Sequence, residues 1–241
     1  MIHLTQTDIL SDAFPNTDYF PFNLKIFQNT KQLSLNQDIT FFIGENGSGK
    51  STLLKALALK SRIHIWDNET RLRIKPNPYE NELYRFIDIA WEKGPVPGSF
   101  FSSRNFSDFS RNLEEWAVND APMLDFFGGK SLITQSHGQS LMSYFKSRYR
   151  IKGIYFLDEP ETALSPASLI ELLNLLIHLG KKGEAQFFIA THSPFLLACP
   201  DAGIYNFSKE IIEPVDYRDT AYFKLYKRFL DHPEAFIQAE Q

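Results

Sequence analysis

The sequence predicts an α/β fold built on a mostly parallel sheet, and three observations predict it. An apolar run, Asp38–Ile43, ends at a Gly-rich segment, Gly44–Lys50, and Lys50–Lys60 follows with Leu53, Leu54, Leu57 and Ala58 at helical spacing. A second run, Ile154–Leu157, is closed by Asp158, Glu159 and Pro160 and leads into another helical pattern. A third run, Gln186–Ala190, follows that helix directly. Two strands flanking one helix need a crossover connection, which makes them parallel and buries the sheet they belong to.

The second helix carries its own boundaries. Ser165 is suited to cap the first turn and Pro166 to occupy it, because proline lacks the N–H that this turn leaves unpaired. Leu169, Leu172, Leu173, Leu176 and Ile177 form its apolar face, and Gly180 is the expected stop. Between the two units lies a stretch of different character. Gly94-Pro95-Val96-Pro97-Gly98 is a turn-rich break, Phe100–Arg111 is aromatic and polar, and Gly128-Gly129 is a further break. Residues 99–150 are therefore expected to form a small helical lobe inserted into a single α/β domain, whose core is 1–98 and 151–241.

Composition excludes several classes. Hydrophobic residues at 43% and charged residues at 22% are ordinary globular usage, so a disordered or collagen-like chain is ruled out. A net charge of −4 gives no basic excess that would announce a nucleic-acid partner, although a local patch remains compatible with it. The single cysteine, Cys199, excludes an internal disulfide framework, fits a reducing compartment and is expected to be buried. No apolar run approaches the roughly 20 residues that span a bilayer, and the first residues lack a signal pattern. A cytoplasmic chain without an integral membrane segment is the expectation.

The Gly-rich segment, Gly44-Glu45-Asn46-Gly47-Ser48-Gly49-Lys50-Ser51, matches the phosphate-loop pattern G-x-x-x-x-G-K-[ST]. The chemistry needs these residue types. Glycines let backbone N–H groups turn inward around phosphate oxygens, and the helix that follows adds the positive end of its dipole. Lys50 is expected to reach the β- and γ-phosphates and Ser51 to ligate Mg²⁺, with Thr52 next in the same turn. Alone, such a segment is also an ordinary Gly turn before a helix; the strand and helix on either side favour the phosphate loop. Asp158 ends an apolar strand, where a carboxylate holds Mg²⁺ directly or through water, and Glu159 is placed to polarise an attacking water as a general base. Without the loop, this pair would read as solvated carboxylates at a strand end.

With these residues in place, the chain resembles the ATP-binding-cassette ATPases, because further segments fall in that family's order. Ser136-His137-Gly138-Gln139, preceded by Gln135, resembles the LSGGQ signature; Gln135 stands where Leu is usual and His137 replaces the first Gly. Ala163-Leu164-Ser165-Pro166 resembles the D-loop. His192, 34 residues after Asp158, sits where the family's switch histidine would be. Asn105 lies near the Q-loop position but is not Gln, and Tyr19, 25 residues before Gly44, is a candidate to stack on adenine. The resemblance implies Mg²⁺-dependent ATP hydrolysis by a head-to-tail homodimer. In that arrangement each nucleotide lies between the loop of one copy and the signature of the other, where Ser136, Gly138 and Gln139 would face the γ-phosphate. His137 would either crowd that phosphate or add a donor to it.

Family resemblance defines the engine and not the load. The run Asp158-Glu159-Pro160-Glu161-Thr162-Ala163-Leu164-Ser165-Pro166 resembles the form found in soluble cassette ATPases related to the RecF-like and chromosome-maintenance proteins, often labelled AAA-family ATPases. Transport subunits more usually read DEPTSALD. Only 85 residues separate Ser51 from Ser136 and they break at Gly/Pro clusters, which excludes long coiled-coil arms. An added nuclease domain after His192 is not expected. Asp219–Leu230 reads as a helix whose aromatic side, Tyr222, Phe223, Tyr226 and Phe229, packs on the chain's own core or else serves as a docking face. Three functions follow: an ATPase acting on an unknown protein or nucleic acid, a nucleotide-binding subunit of a membrane importer, and an ATP-gated scaffold with little turnover.

Overall fold

The computed structural model describes residues 2–65, 77–104, 106, 110–113, 115 and 137–237. The chain opens with β1 (Leu4–Ile9), a short helix α1 (Lys25–Asn29), β2 (Gln32–Ser34) and β3 (Ile39–Ile43), which leads into α2 (Lys50–Lys60). β4 (Ile87–Trp91) and β5 (Gly98–Ser102) follow, then α3 (His137–Arg148), β6 (Gly153–Asp158) and the long helix α4 (Pro166–Lys181). β7 (Ala185–Ala190), α5 (Pro194–Leu197), β8 (Gly203–Asn206), the two-residue β9 (Glu213–Pro214) and α6 (Ala221–Asp231) complete the strands and α-helices among the described residues.

A six-stranded sheet in the order β5-β6-β7-β3-β8-β9 forms the centre, parallel throughout except for the antiparallel β8–β9 pair. A three-stranded antiparallel sheet, β2-β1-β4, lies beside it. The central strands are apolar on both faces, as strands covered on both sides must be, and their alternation divides the core in two. Phe41, Tyr155, Leu157, Phe187 and Ile189 join one cluster with residues of α3, α4 and α5. Phe42, Ile154, Phe156, Phe188 and Ala190 join the other with α1, α2 and the small sheet. Rings stack across neighbouring strands on each face, Tyr155 on Phe187 and Phe156 on Phe188, with centroids 5.5 Å and 5.2 Å apart. Cys199 is buried in the first cluster.

Two boundaries differ from those expected. The lobe does not begin at residue 99: Gly98–Ser102 is β5, paired with β6 from Gly98↔Ile154 to Ser102↔Asp158. Its consecutive phenylalanines resemble lobe aromatics in sequence. On an extended chain they point to opposite faces, so Phe101 enters one core cluster and Phe100 the other. Helix α4 also passes through Gly180 and turns at Gly183, whose φ of 69° is the left-handed conformation that ends a helix. The start of α4 agrees with the sequence, with the Ser165 hydroxyl accepting from the Ser168 amide. The break at Gly128-Gly129 lies outside the described residues. What is described of the lobe docks through aromatics: Phe145 of α3 stacks on Tyr149, the residue after its last turn, and Tyr149 packs edge-on to Phe187 of the sheet.

The C-terminal helix α6 divides the expectation made for it. Tyr222 packs against the core, and Phe223 meets Tyr217 edge-on at 4.9 Å. Leu225, Tyr226, Phe229 and Leu230 are exposed, because the outer turns of the helix extend beyond the elements it rests on.

One side chain joins the two sheets. Gln186 on β7 is fully buried, and its carbonyl accepts from the His3 and Leu4 amides at 2.9 Å and 2.8 Å. Its amide nitrogen donates to Leu4, Leu35 and Gln37 carbonyls at 2.9, 2.8 and 3.2 Å. Strand β1 and the segment entering β3 thus meet their backbone needs through a side chain of the central sheet. Burying these groups without partners is costly. Replacing Gln186 with Leu should lower stability by about 3 kcal/mol or more, read as a fall in the urea midpoint. A loss below about 1 kcal/mol would mean that β1 finds other partners.

Candidate functional site

β3, β6 and β7 lie side by side and parallel, so Ile43, Asp158 and Ala190 end on one edge of the sheet. Ligand sites of open α/β sheets form at such carboxyl ends. Each strand delivers one part of the site: the loop Gly44–Gly49 and α2 from β3, Asp158 and Glu159 from β6, and Thr191 and His192 from β7.

The loop is shaped for close backbone approach. Gly49 is the N-cap of α2 with φ 102°, and a side-chain carbon there would stand 2.9 Å from the Phe27 ring. Because this cap has no side chain, the first-turn amides of α2, at the positive end of the helix dipole, receive no bond from a capping side chain. Glu45, Asn46 and Gly47 are exposed at the tip, Ser48 and Thr52 are half-buried, and the Ser48 hydroxyl is enclosed without a hydrogen-bond partner. Lys50 is only 4% exposed and folds across the loop, donating to the Gly44 and Glu45 carbonyls at 2.7 Å and 2.8 Å. Burial pulls its pKa down, against the opposing pull of Glu159, Asp158 and Glu161. Phosphate oxygens are stronger acceptors than these two carbonyls for the same ammonium.

Ser51 donates to Asp158 Oδ1 at 2.7 Å, joining the loop to the end of β6. Asp158 is 7% exposed; burial raises its pKa, while the Ser51 bond leads the effects that oppose this. A hydroxyl and a buried carboxylate side by side are hard oxygen donors, which fits Mg²⁺ as a group held partly by protein and partly by phosphate. Ser51 and Asp158 would hold it.

Glu159 adopts φ 50°, the left-handed region, which strains a residue with a side chain by about 1–2 kcal/mol. Its surroundings enforce this turn. The amide donates to the Ala190 carbonyl at 2.9 Å, and the carbonyl accepts from Ser103 Oγ and from Thr162 Oγ1 at 3.1 Å. The carboxylate thereby faces His192, with Oε1 3.7 Å from Nε2. Burial lowers the His192 pKa, Lys50 adds to this, and Glu159 opposes it. The imidazole is therefore mainly neutral near pH 7.

Sequence reasoning missed two residues that hold His192. Glu161, which the sequence marks only by its place in the run Asp158–Pro166, accepts through Oε1 from Thr191 Oγ1 at 2.8 Å and from the His192 amide at 2.6 Å. Burial raises its pKa. The sequence places Tyr222 on an aromatic face that packs on the core or serves for docking, yet its hydroxyl lies 2.7 Å from His192 Nδ1 and 2.9 Å from the Gly44 carbonyl. Periodicity assigns a residue to a helix face and carries no information about a contact made so far along the chain.

Gly138 and Gln139, in the first turn of α3, line a groove with Met142, Lys146, Ser168 and Glu171, to which nothing in 44–52 contributes. Gln135, Ser136 and Asn105, with the His137 side chain, lie outside the described residues. Tyr19 is 52% exposed, with its ring 6.0 Å from that of Tyr79.

Comparison with known proteins agrees with this geometry. Residues 141–198 match the family described as "AAA domain, putative AbiEii toxin, Type IV TA system", and residues 22–59 match a second AAA domain family. The phosphate import ATP-binding protein PstB 2 of Streptococcus pneumoniae strain R6 is 25% identical over an alignment of 181 positions that covers 64% of this chain. The match spans 65% of that relative's length, just under two thirds. Among solved structures, cbiO1 from Clostridium perfringens, part of an ABC transporter complex, superposes with a TM-score of 0.57 at 16% identity and covers 98% of both chains. A nucleotide-free ATP-binding cassette from an ABC transporter gives 0.51 at 17% identity, covering 99% of this chain and 100% of the other. The likeness to these structures gives this chain the ATP-binding-cassette ATPase fold, with the Gly44–Gly49 loop leaving β3 and the paired carboxylates ending β6.

Proposed function

We propose that the chain binds ATP with Mg²⁺ at the Gly44–Thr52 loop and hydrolyses it at a head-to-tail interface between two copies, in the cytoplasm, to switch a protein or nucleic-acid partner. The observation that carries this reading is the Ser51–Asp158 contact, which brings two groups 107 residues apart into one hydroxyl–carboxylate pair beside Lys50. In this reading the loop amides and Lys50 bind and orient the phosphates, and Glu159 polarises the attacking water. Mg²⁺, when bound, spreads the charge that develops on the transferred phosphoryl group. Ser136, Gly138 and Gln139 of the second copy complete the site. That arrangement accords with Gly138 and Gln139 lining a groove to which their own chain's loop does not contribute.

A second reading is an ATP-binding subunit of a membrane importer, favoured by the likeness to PstB 2 and cbiO1. It requires a separate membrane chain. Co-isolation from washed membranes with such a chain would support it, and recovery in the supernatant without one would count against it.

Removing the Lys50 ammonium with Lys50→Ala should weaken ATP binding by about 10- to 100-fold, as loss of charge-assisted hydrogen bonds does, measured by calorimetry. Unchanged affinity would remove Lys50 from the site. Glu159→Gln should keep nucleotide affinity and lose at least about 100-fold in turnover. With ATP and Mg²⁺, this variant should also elute at the size of a dimer. A Gln variant that hydrolyses ATP at the parental rate would exclude Glu159 as the base.

A further inference from the structure

The Tyr222 hydroxyl has one proton and two close neighbours. The Gly44 carbonyl, 2.9 Å away, is purely an acceptor, so the proton must lie between these two oxygens; without it they would face each other unscreened. The tyrosine oxygen is then left to accept, and its other neighbour is His192 Nδ1 at 2.7 Å. Nδ1 must therefore carry a hydrogen. In a neutral imidazole this leaves Nε2 with a bare lone pair. Nε2 is buried, makes no hydrogen bond and faces the Glu159 carboxylate at 3.7 Å. Burial, the leading influence, raises the Tyr222 pKa, so the hydroxyl keeps its proton near pH 7. The two rings meet edge-to-face with centroids 5.5 Å apart, which holds the pair in register.

We propose that Tyr222 is a positioning residue that holds His192 as the Nδ1–H tautomer, so that Nε2 cannot donate to Glu159 and the Glu159 carboxylate stays free. The opposite tautomer would aim an N–H at that carboxylate across 3.7 Å, a gap that a small ring rotation closes. A carboxylate tied up in this way is a poorer acceptor for a water proton. The same hydroxyl contacts the entry of the phosphate loop, and Gly44 O also accepts from Lys50. Helix α6 is thus tied through one atom to the loop and to His192. The other charged groups around the imidazole are Lys50 and Glu161, the latter accepting the His192 backbone N–H. The consequence for turnover rests on the ATPase reading above; the tautomer does not.

Nitrogen-15 spectra of histidine-labelled, nucleotide-free protein read the tautomer directly, with the His192 signals assigned by their loss in His192→Gln. The parent should show a protonated Nδ1 and a bare Nε2. Tyr222→Phe keeps the ring and removes both hydrogen bonds; the proton should then move in part or wholly to Nε2. That variant should bind ATP within about threefold of the parent while its kcat falls about tenfold or more, part of what a general base contributes. A parent spectrum with the proton on Nε2 overturns the proposal, and needs no variant that folds. So does a Tyr222→Phe spectrum identical to the parent's, or a shifted tautomer with unchanged kcat. If the parent hydrolyses no ATP, the functional reading fails and the nitrogen signals alone judge the assignment.

Discussion

Ala190 is paired on both sides, with Phe42 of β3 and with Asp158 of β6, and this pairing levels the ends of three parallel strands. Backbone groups in a buried sheet must find partners within it, so the strands cannot slide independently. A slip of one residue would also turn every side chain to the opposite face, sending Phe41 and Phe187 into the cluster that Phe42 and Phe188 now fill. The register is held by hydrogen bonds and by the division of the core together. The Gly44–Gly49 loop, the paired carboxylates and His192 meet because their strands stop level.

Beyond the strand ends, polar side chains determine how each loop leaves the sheet. Glu159 occupies the left-handed region because its amide is held by Ala190 and its carbonyl by Ser103 and Thr162. Glu161 anchors the start of the Thr191–His192 segment. These contacts tie together the segments that leave β5, β6 and β7. At the opposite end of β7, Gln186 performs the comparable task for the small sheet, meeting backbone groups that no strand pairing reaches.

The contrast between the two phenylalanines of β5 and the helix α6 shows what residue patterns carry. Phe100 and Phe101 belong to a strand covered on both faces, and a short strand of that kind has no alternation to distinguish it from an aromatic helical run. The amphipathic pattern of α6 identified a helix correctly, and the Thr220 cap confirms its start. It did not say how much of the apolar side would be covered. That depends on the extent of the neighbours: Tyr222 reaches the core, and Leu225 and Leu230 lie beyond it. The end of α4 is a third instance, since the sequence offers Gly180 as the stop and the helix continues to Lys181, turning at the left-handed Gly183.

Contiguous features were therefore determined by sequence alone. The loop Gly44–Ser51 with its strand and helix, the Asp158-Glu159 pair at a strand end and the capped start of α4 each depend on interactions within a few residues, where backbone preference and local hydrogen bonds decide. The tertiary structure decided which distant groups touch. Ser51 meets Asp158 across 107 residues, Tyr222 meets Gly44 across 178, and Gln186 meets His3 across 183. No local propensity encodes such pairs, because each exists only once the strand order has placed its two ends together.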